Sequence, residues 1–76
     1  MKIIFSDHAL LKISERSLLQ DKIVATIETP GLIRPSYGMR EERYRRFGKN
    51  WLKVIVMIER GVCIIVTAHW VAKMKK

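Results

Sequence analysis

Cysteine is nearly absent: Cys63 stands alone, so no disulfide can form within the chain. It lies in the apolar run Val62–Val66 and reads as a buried small hydrophobe, because nothing beside it in sequence would activate a thiol. Histidine is almost as scarce. His8 and His69 are far apart, and with one cysteine they make no zinc spacing, so no metal or other cofactor is expected. Acidic residues number 7 against 15 basic ones, which gives a formal net charge of +8 and a pI of about 10.2. No stretch approaches the roughly 18 apolar residues of a membrane span, so no membrane partner is expected. Met1–Phe5 carries one lysine and a short apolar run before turning polar at Ser6-Asp7-His8, unlike a signal peptide. A reducing cytoplasm is the expected location. Repeats and low-complexity tracts are also lacking.

What is present suits a small folded unit. The hydrophobic fraction is 49 %, too high for a disordered basic tail. The 76 residues form one domain over 1–76, with an ordered core expected at about 2–71 and a basic tail at 72–76. A core of this size supplies only roughly 3–5 kcal/mol. Stabilisation by a partner or by self-association, for instance as a homodimer, is expected.

The charge is concentrated. Arg34, Arg40, Arg43, Arg45 and Arg46 fall in one stretch, with Lys49 and Lys53 close behind. Tyr37, Tyr44, Phe47 and Trp51 lie among them, and only Glu41 and Glu42 offset the charge. Cations interleaved with flat rings suit a chain of phosphates bearing stackable bases, so RNA is the leading partner. The plainer reading is a solvated basic face docked on an acidic protein.

The pattern along the chain predicts an α+β fold in the order (β)ααβββ. Lys2–Phe5 reads as an edge strand or extended lead-in. Ser6 or Asp7 caps a helix to about Ser17, with Ala9, Leu10 and Ile13 toward the core and His8, Lys12 and Glu15 opposite, Arg16 lying at the boundary. A second helix runs from Gln20 or Asp21 to about Thr29, with Ile23, Val24 and Ile27 as its stripe, and Pro30-Gly31 stops it. Leu32–Gly38 reads as a connection with a turn at Tyr37-Gly38. The charge-dense Arg40–Phe47 should be a largely exposed strand. Trp51–Ile58 alternates, with Leu52, Val54, Val56 and Ile58 on one face and Trp51, Lys53, Ile55 and Met57 on the other. Val62–Ala68 is apolar enough for a central strand. Two helices would then cover one face of a small antiparallel sheet of three to four strands and leave the other face open.

RNA can be cleaved without metal when a base takes the proton of the 2′-OH, an acid protonates the leaving 5′-oxygen and cations stabilise the phosphorane. His8 and Arg16 on the first helix, Arg43, Tyr44, Arg45 and Arg46 on the basic strand, Lys53 on the next, and Thr67 and His69 at the end of the last are the candidates. Each also has a structural reading. His8 can bond a nearby carbonyl, Lys12 is a solvated helix residue, and Arg16 can pair with Glu15 at the surface. Tyr44 can be a half-buried strand aromatic, Thr67 an ordinary strand former and His69 a capped core edge. The hairpin register decides the last two. A two-residue Arg60-Gly61 loop sets Val54 opposite Thr67 and sends Thr67 and His69 to the core face. One extra residue as a Gly-bulge turn, which Arg-Gly fits somewhat better, sets Lys53 opposite Thr67 and Trp51 opposite His69, gathering Lys53, Thr67 and His69 on the open face.

The run His8-Ala9-Leu10-Leu11-Lys12-Ile13-Ser14-Glu15-Arg16 resembles the opening His-Ala-x-x-Lys/Arg-x-x-Glu/Gln-Arg signature of the small prokaryotic family called domain of unknown function 4258. Pro30 after the second helix, Tyr44 on a basic strand, Leu52–Val54 and the Val66-Thr67-Ala68-His69 close are similar to it as well, so the likeness covers nearly the whole chain. Ser17 departs from it, since glycine is common there, as does His69, near where an aromatic is usual. The family resembles the RelE-like, barnase-like RNase toxins. That resemblance implies one or two helices against a curved antiparallel sheet, metal-independent cleavage of RNA and an acidic antitoxin partner. It carries over His8, Lys12, Glu15, Arg16, Tyr44, Lys53 and Thr67.

The expected function is therefore a cytoplasmic endoribonuclease toxin acting on RNA, free or on the ribosome. His8, Arg16, Tyr44 and Lys53 would be catalytic. Lys12, Arg43, Arg45, Arg46, Trp51, Thr67 and His69 would bind substrate, Tyr44 or Trp51 by stacking. The alternatives are a non-catalytic nucleic-acid-binding module using the same patch, and a protein-interaction domain presenting Trp51, Ile55 and Met57.

Overall fold

The computed structural model describes residues 2–72, in the order β1 (Lys2–Phe5), α1 (Asp7–Glu15), α2 (Gln20–Glu28), β2 (Leu32–Pro35), β3 (Arg40–Phe47), β4 (Asn50–Glu59) and β5 (Val62–Val71). The α+β class holds, with both helices against one face of the sheet. The sheet itself is larger than expected. It has five strands in the order β1-β5-β4-β3-β2, and it is mixed, because β1 runs parallel to β5 while the other pairs are antiparallel. The additional strand is β2, read from sequence as a connection because of Pro35. β2 is an edge strand, where a residue without an N–H need not interrupt a ladder. Of the basic tail expected at 72–76, residues 73–76 lie outside the described residues.

Ser6 starts α1. Its hydroxyl accepts from the Ala9 N–H at 3.1 Å and donates to the Ile65 carbonyl at 2.8 Å, so one side chain both caps the helix and ties it to β5. Ala9 and Ile13 are buried as expected, but Leu10 is exposed. α1 lies chiefly against β5, near one side of the sheet, so only a narrow i, i+4 stripe is covered. The helix ends at Glu15, short of the expected Ser17. Leu18 N–H bonds Ile13 O at 3.0 Å and Ser17 N–H bonds Ser14 O at 3.3 Å, which is the paired reverse bonding of a Schellman ending. Ser17 takes φ +52 there, and Leu18 turns into the core cluster that holds Ile13.

In α2, Ile23 and Ile27 are buried, and Thr26 joins them while Val24 is only half-buried. The Thr26 hydroxyl donates to the Lys22 carbonyl at 2.8 Å, so its burial leaves no unmet polar group. Facing the helices are Leu52, Val54 and Val56 of β4 and Cys63, Ile65 and Ala68 of β5, all fully buried.

The β4–β5 register differs from both sequence alternatives. Glu59 pairs with Val62, and Arg60 (φ +50) and Gly61 (φ +76) both take positive φ, so the turn is the tight two-residue kind that matches strand twist. The extra residue sits inside β5. Val56 pairs with Ile65 and Ile55 with Thr67, leaving Val66 as a bulge. Beyond it the alternation is reset. His69 pairs with Lys53, not Trp51, and Thr67 with Ile55, not Lys53. Lys53, Thr67 and His69 still share the open face.

A candidate site on the open sheet face

Alternation on β3 divides its charges. Arg40, Glu42, Tyr44 and Arg46 share a face with Met57, Ile55, Lys53 and Trp51 of β4, away from the helices. Glu41, Arg43 and Arg45 share the other face with Val56, Val54 and Leu52. One row across the open face therefore reads Leu32, Tyr44, Lys53, His69, and the next reads Arg34, Glu42, Ile55, Thr67. Arg46, Trp51 and Val71 form a third row on the far side of the first.

Tyr44 anchors the centre. It is 4 % exposed, and its hydroxyl donates to Glu42 Oε1 at 2.7 Å. Burial and then Glu42 push its pKa up to about 12, with Arg34 pulling the other way. The Arg34 guanidinium lies 5.7 Å from the ring centroid and Lys53 Nζ 5.9 Å from it, both at cation–π range. Lys53 Nζ is also 3.7 Å from Glu42 Oε2. His69 is half-buried beside Lys53. Burial lowers its pKa from the ordinary 6.5, the charges of Lys53 and Arg16 add to this, and Glu42 opposes it. These effects favour the neutral imidazole, the form that can accept a proton.

The fold thus gathers Tyr44, Lys53, Thr67 and His69, with Arg46 and Trp51 one row away. Trp51 is half-buried, its ring 3.3 Å from where a Cβ on Gly31 would stand, so glycine suits that close approach. Arg16 touches the site from the side: its guanidinium donates to the Ala68 carbonyl at 2.7 Å. Glu15 pairs with Lys12 at 3.5 Å rather than with Arg16. His8 is exposed in the first turn of α1, and its side chain makes no hydrogen bond or ion pair among the described residues.

The basic strand is less exposed than its composition suggested. Arg43 donates to Glu41 at 2.6 Å and to the Ile27 carbonyl. Arg45 donates to the Thr29 hydroxyl and approaches the Ala25 and Thr29 carbonyls at 3.4 and 3.5 Å. These oxygens close α2, which has no basic residue in its own last turn. Two of the clustered arginines thus serve the helix end, and Arg46 alone of the trio is on the open face, where it donates to the Gly48 carbonyl at 2.8 Å.

Sequence reasoning treated Glu42 only as a charge offset. Its i, i+2 spacing to Tyr44 on a strand was the available signal that both share a face. The tip of the β2–β3 hairpin was read as a turn at Tyr37-Gly38, with Tyr37 among the rings of the basic stretch but not as a site residue. Pro35, Ser36, Tyr37 and Glu42 line an open cleft of about 360 Å³ there, and Tyr37 is 90 % exposed.

Among the described residues no group of three His, Cys, Asp or Glu could hold a metal ion, and no helix is long and apolar enough to cross a membrane. Compared with family profiles, with curated proteins and with solved structures, the chain finds no match.

Proposed function

We propose that this chain is a small endoribonuclease that cleaves single-stranded RNA on its open sheet face without a metal. The observation that carries the reading is the Lys53–His69 pair: a half-buried imidazole stands beside an ammonium on adjacent strands of the open face. In this reading His69 takes the proton of the 2′-OH as the 2′-oxygen bonds to phosphorus. Lys53 meets the charge of the phosphorane, and the 5′-oxygen leaves and is protonated from solvent, giving a 2′,3′-cyclic phosphate. Tyr44, with its hydroxyl committed to Glu42, holds Lys53 and Arg34 in place around its ring. The likeness of His8–Arg16 to the domain of unknown function 4258 signature agrees with a toxin-type nuclease held by an acidic partner.

The Glu42–Lys53 contact favours a second reading, a non-catalytic RNA-binding face, because it already partners the central cation. One experiment separates the two. Purified chain is incubated with end-labelled single-stranded RNA and the products are examined for 2′,3′-cyclic phosphate ends, for wild type, His69→Gln and His8→Ala. Cyclic ends lost in His69→Gln support the proposal. Loss in His8→Ala alone moves the base to α1. Binding without new ends establishes the non-catalytic face.

A further inference from the structure

We infer that this chain forms a two-fold symmetric dimer by pairing β1 with β1 of a second copy, antiparallel and centred on Ile4. The association stands apart from RNA cleavage and holds whether or not the open face is a nuclease site.

The first observation is the contrast between the two edges of the sheet. β2 is guarded: it ends in Pro35, which has no N–H to offer, and it carries Arg34. β1 is the other edge, with neither proline nor bulge and with Lys2 as its single charge. Lys2 N–H bonds the Gly61 carbonyl at 3.3 Å and Ser6 N–H bonds the Ile65 carbonyl at 3.4 Å, so the even-numbered residues turn their backbone groups toward β5. The N–H and C=O of Ile3 and Phe5 therefore point away from the sheet, and among the described residues no strand lies beyond them.

The second observation is that this edge complements itself. Ile3 and Phe5 stand two apart, the spacing at which an antiparallel copy pairs Ile3 with Phe5 on each side of the axis, each pair exchanging both backbone bonds. Ile4 then meets Ile4 on the two-fold axis. The side chains agree with this register. Ile4 is 40 % exposed on the open face, where its row continues through Ile64 and Met57, so the dimer joins two apolar rows end to end. Ile3 and Phe5 are half-buried on the helix side against the core cluster, and each would cover the open flank of the other. Lys2 falls opposite Ser6 of the second copy, one residue from Asp7. Lys2 and Asp7 are both exposed, and neither is in an ion pair among the described residues. The charge of this edge thus meets the opposite sign rather than its own copy. Each copy carries a net +8, so repulsion at long range opposes association and salt strengthens it, the reverse of binding to a polyanion.

The test is sedimentation equilibrium of the full chain from about 10 µM to about 1 mM, the range in which small interfaces associate, at low and high salt. A monomer–dimer equilibrium that tightens with salt is expected. Ile4→Asp sets like charges opposite each other on the axis and should remain monomeric throughout, with the circular dichroism of wild type because this side chain lies outside the core. Cross-linking reads the register. The pair on the axis is not hydrogen-bonded, with Cα atoms roughly 4.5 Å apart, so Ile4→Cys should oxidise to a covalent dimer while buried Cys63 stays reduced. Lys2→Cys should not, since its two copies stand about 13 Å apart along the strands. Wild type that is monomeric at the highest concentration in high salt overturns the inference. So does Ile4→Asp that dimerises as wild type does, or Lys2→Cys that cross-links as fast as Ile4→Cys.

Discussion

The guanidinium of Arg16 donates to the carbonyl oxygen of Ala68 at 2.7 Å, beyond the last β1–β5 pair, Phe5 with Ile65. A helix residue thereby satisfies an acceptor on β5 after its strand partner has ended. Replacing Arg16 by Ala should cost about 1.5–3 kcal/mol in urea unfolding, the range of a hydrogen bond from a charged donor, and Arg16→Lys should recover part of it. Unchanged stability together with weakened RNA binding would instead assign Arg16 to the phosphate.

His69 makes stability depend on pH. Its folded pKa lies below the unfolded value of 6.5, so the unfolded chain takes up a proton first as pH falls. Stability is full above about pH 6.5 and declines below it, and His69→Gln should flatten that decline in unfolding titrations. Cleavage by wild type should rise with pH through a value below 6.5, because only the neutral ring accepts the 2′-OH proton.

The arginines of β3 should separate into two kinds. Lys53→Ala and Arg46→Ala should each lower the slope of log affinity for RNA against log salt by about one. Arg43→Ala should leave that slope alone and lower stability by about 1–3 kcal/mol, since it strips a partner from the α2 terminus. A slope change in Arg43→Ala with no loss of stability would reverse the division.

Ser17 occupies the left-handed position that ends α1. Ser17→Gly should raise stability by about 1 kcal/mol, read from the urea midpoint at constant slope, because glycine adopts that backbone without Cβ strain.

Cys63 is fully buried, and burial pushes its thiol pKa up. It should resist a thiol reagent in the folded chain and react at the rate of unfolding. Prompt labelling in buffer would show that β5 opens locally.

Much of the fold was legible because it depends on local pattern. Ser6 could be read as a cap, Pro30-Gly31 as a stop, and Leu52, Val54 and Val56 as an inward row, since each follows from a side chain's own chemistry or a two-residue period. β2 was not legible, because a four-residue edge strand ending in Pro35 has no pattern of its own and exists through its pairing with β3.

At the site, the charge, the scarcity of cysteine and histidine and the stretch from Arg34 to Lys53 were set by the sequence alone, and with them the expectation of a polyanionic partner. Which of those cations meet solvent was decided by the tertiary structure. Arg43 and Arg45 turn inward because α2 ends beneath them with carbonyls to satisfy. His69 and Thr67 turn outward because a single unpaired residue, Val66, resets the alternation of β5. Strand side chains alternate with a period of two, so one bulge reverses the face of everything after it. Its position depends on how the paired strands twist and pack, which the amino-acid order of β5 does not display.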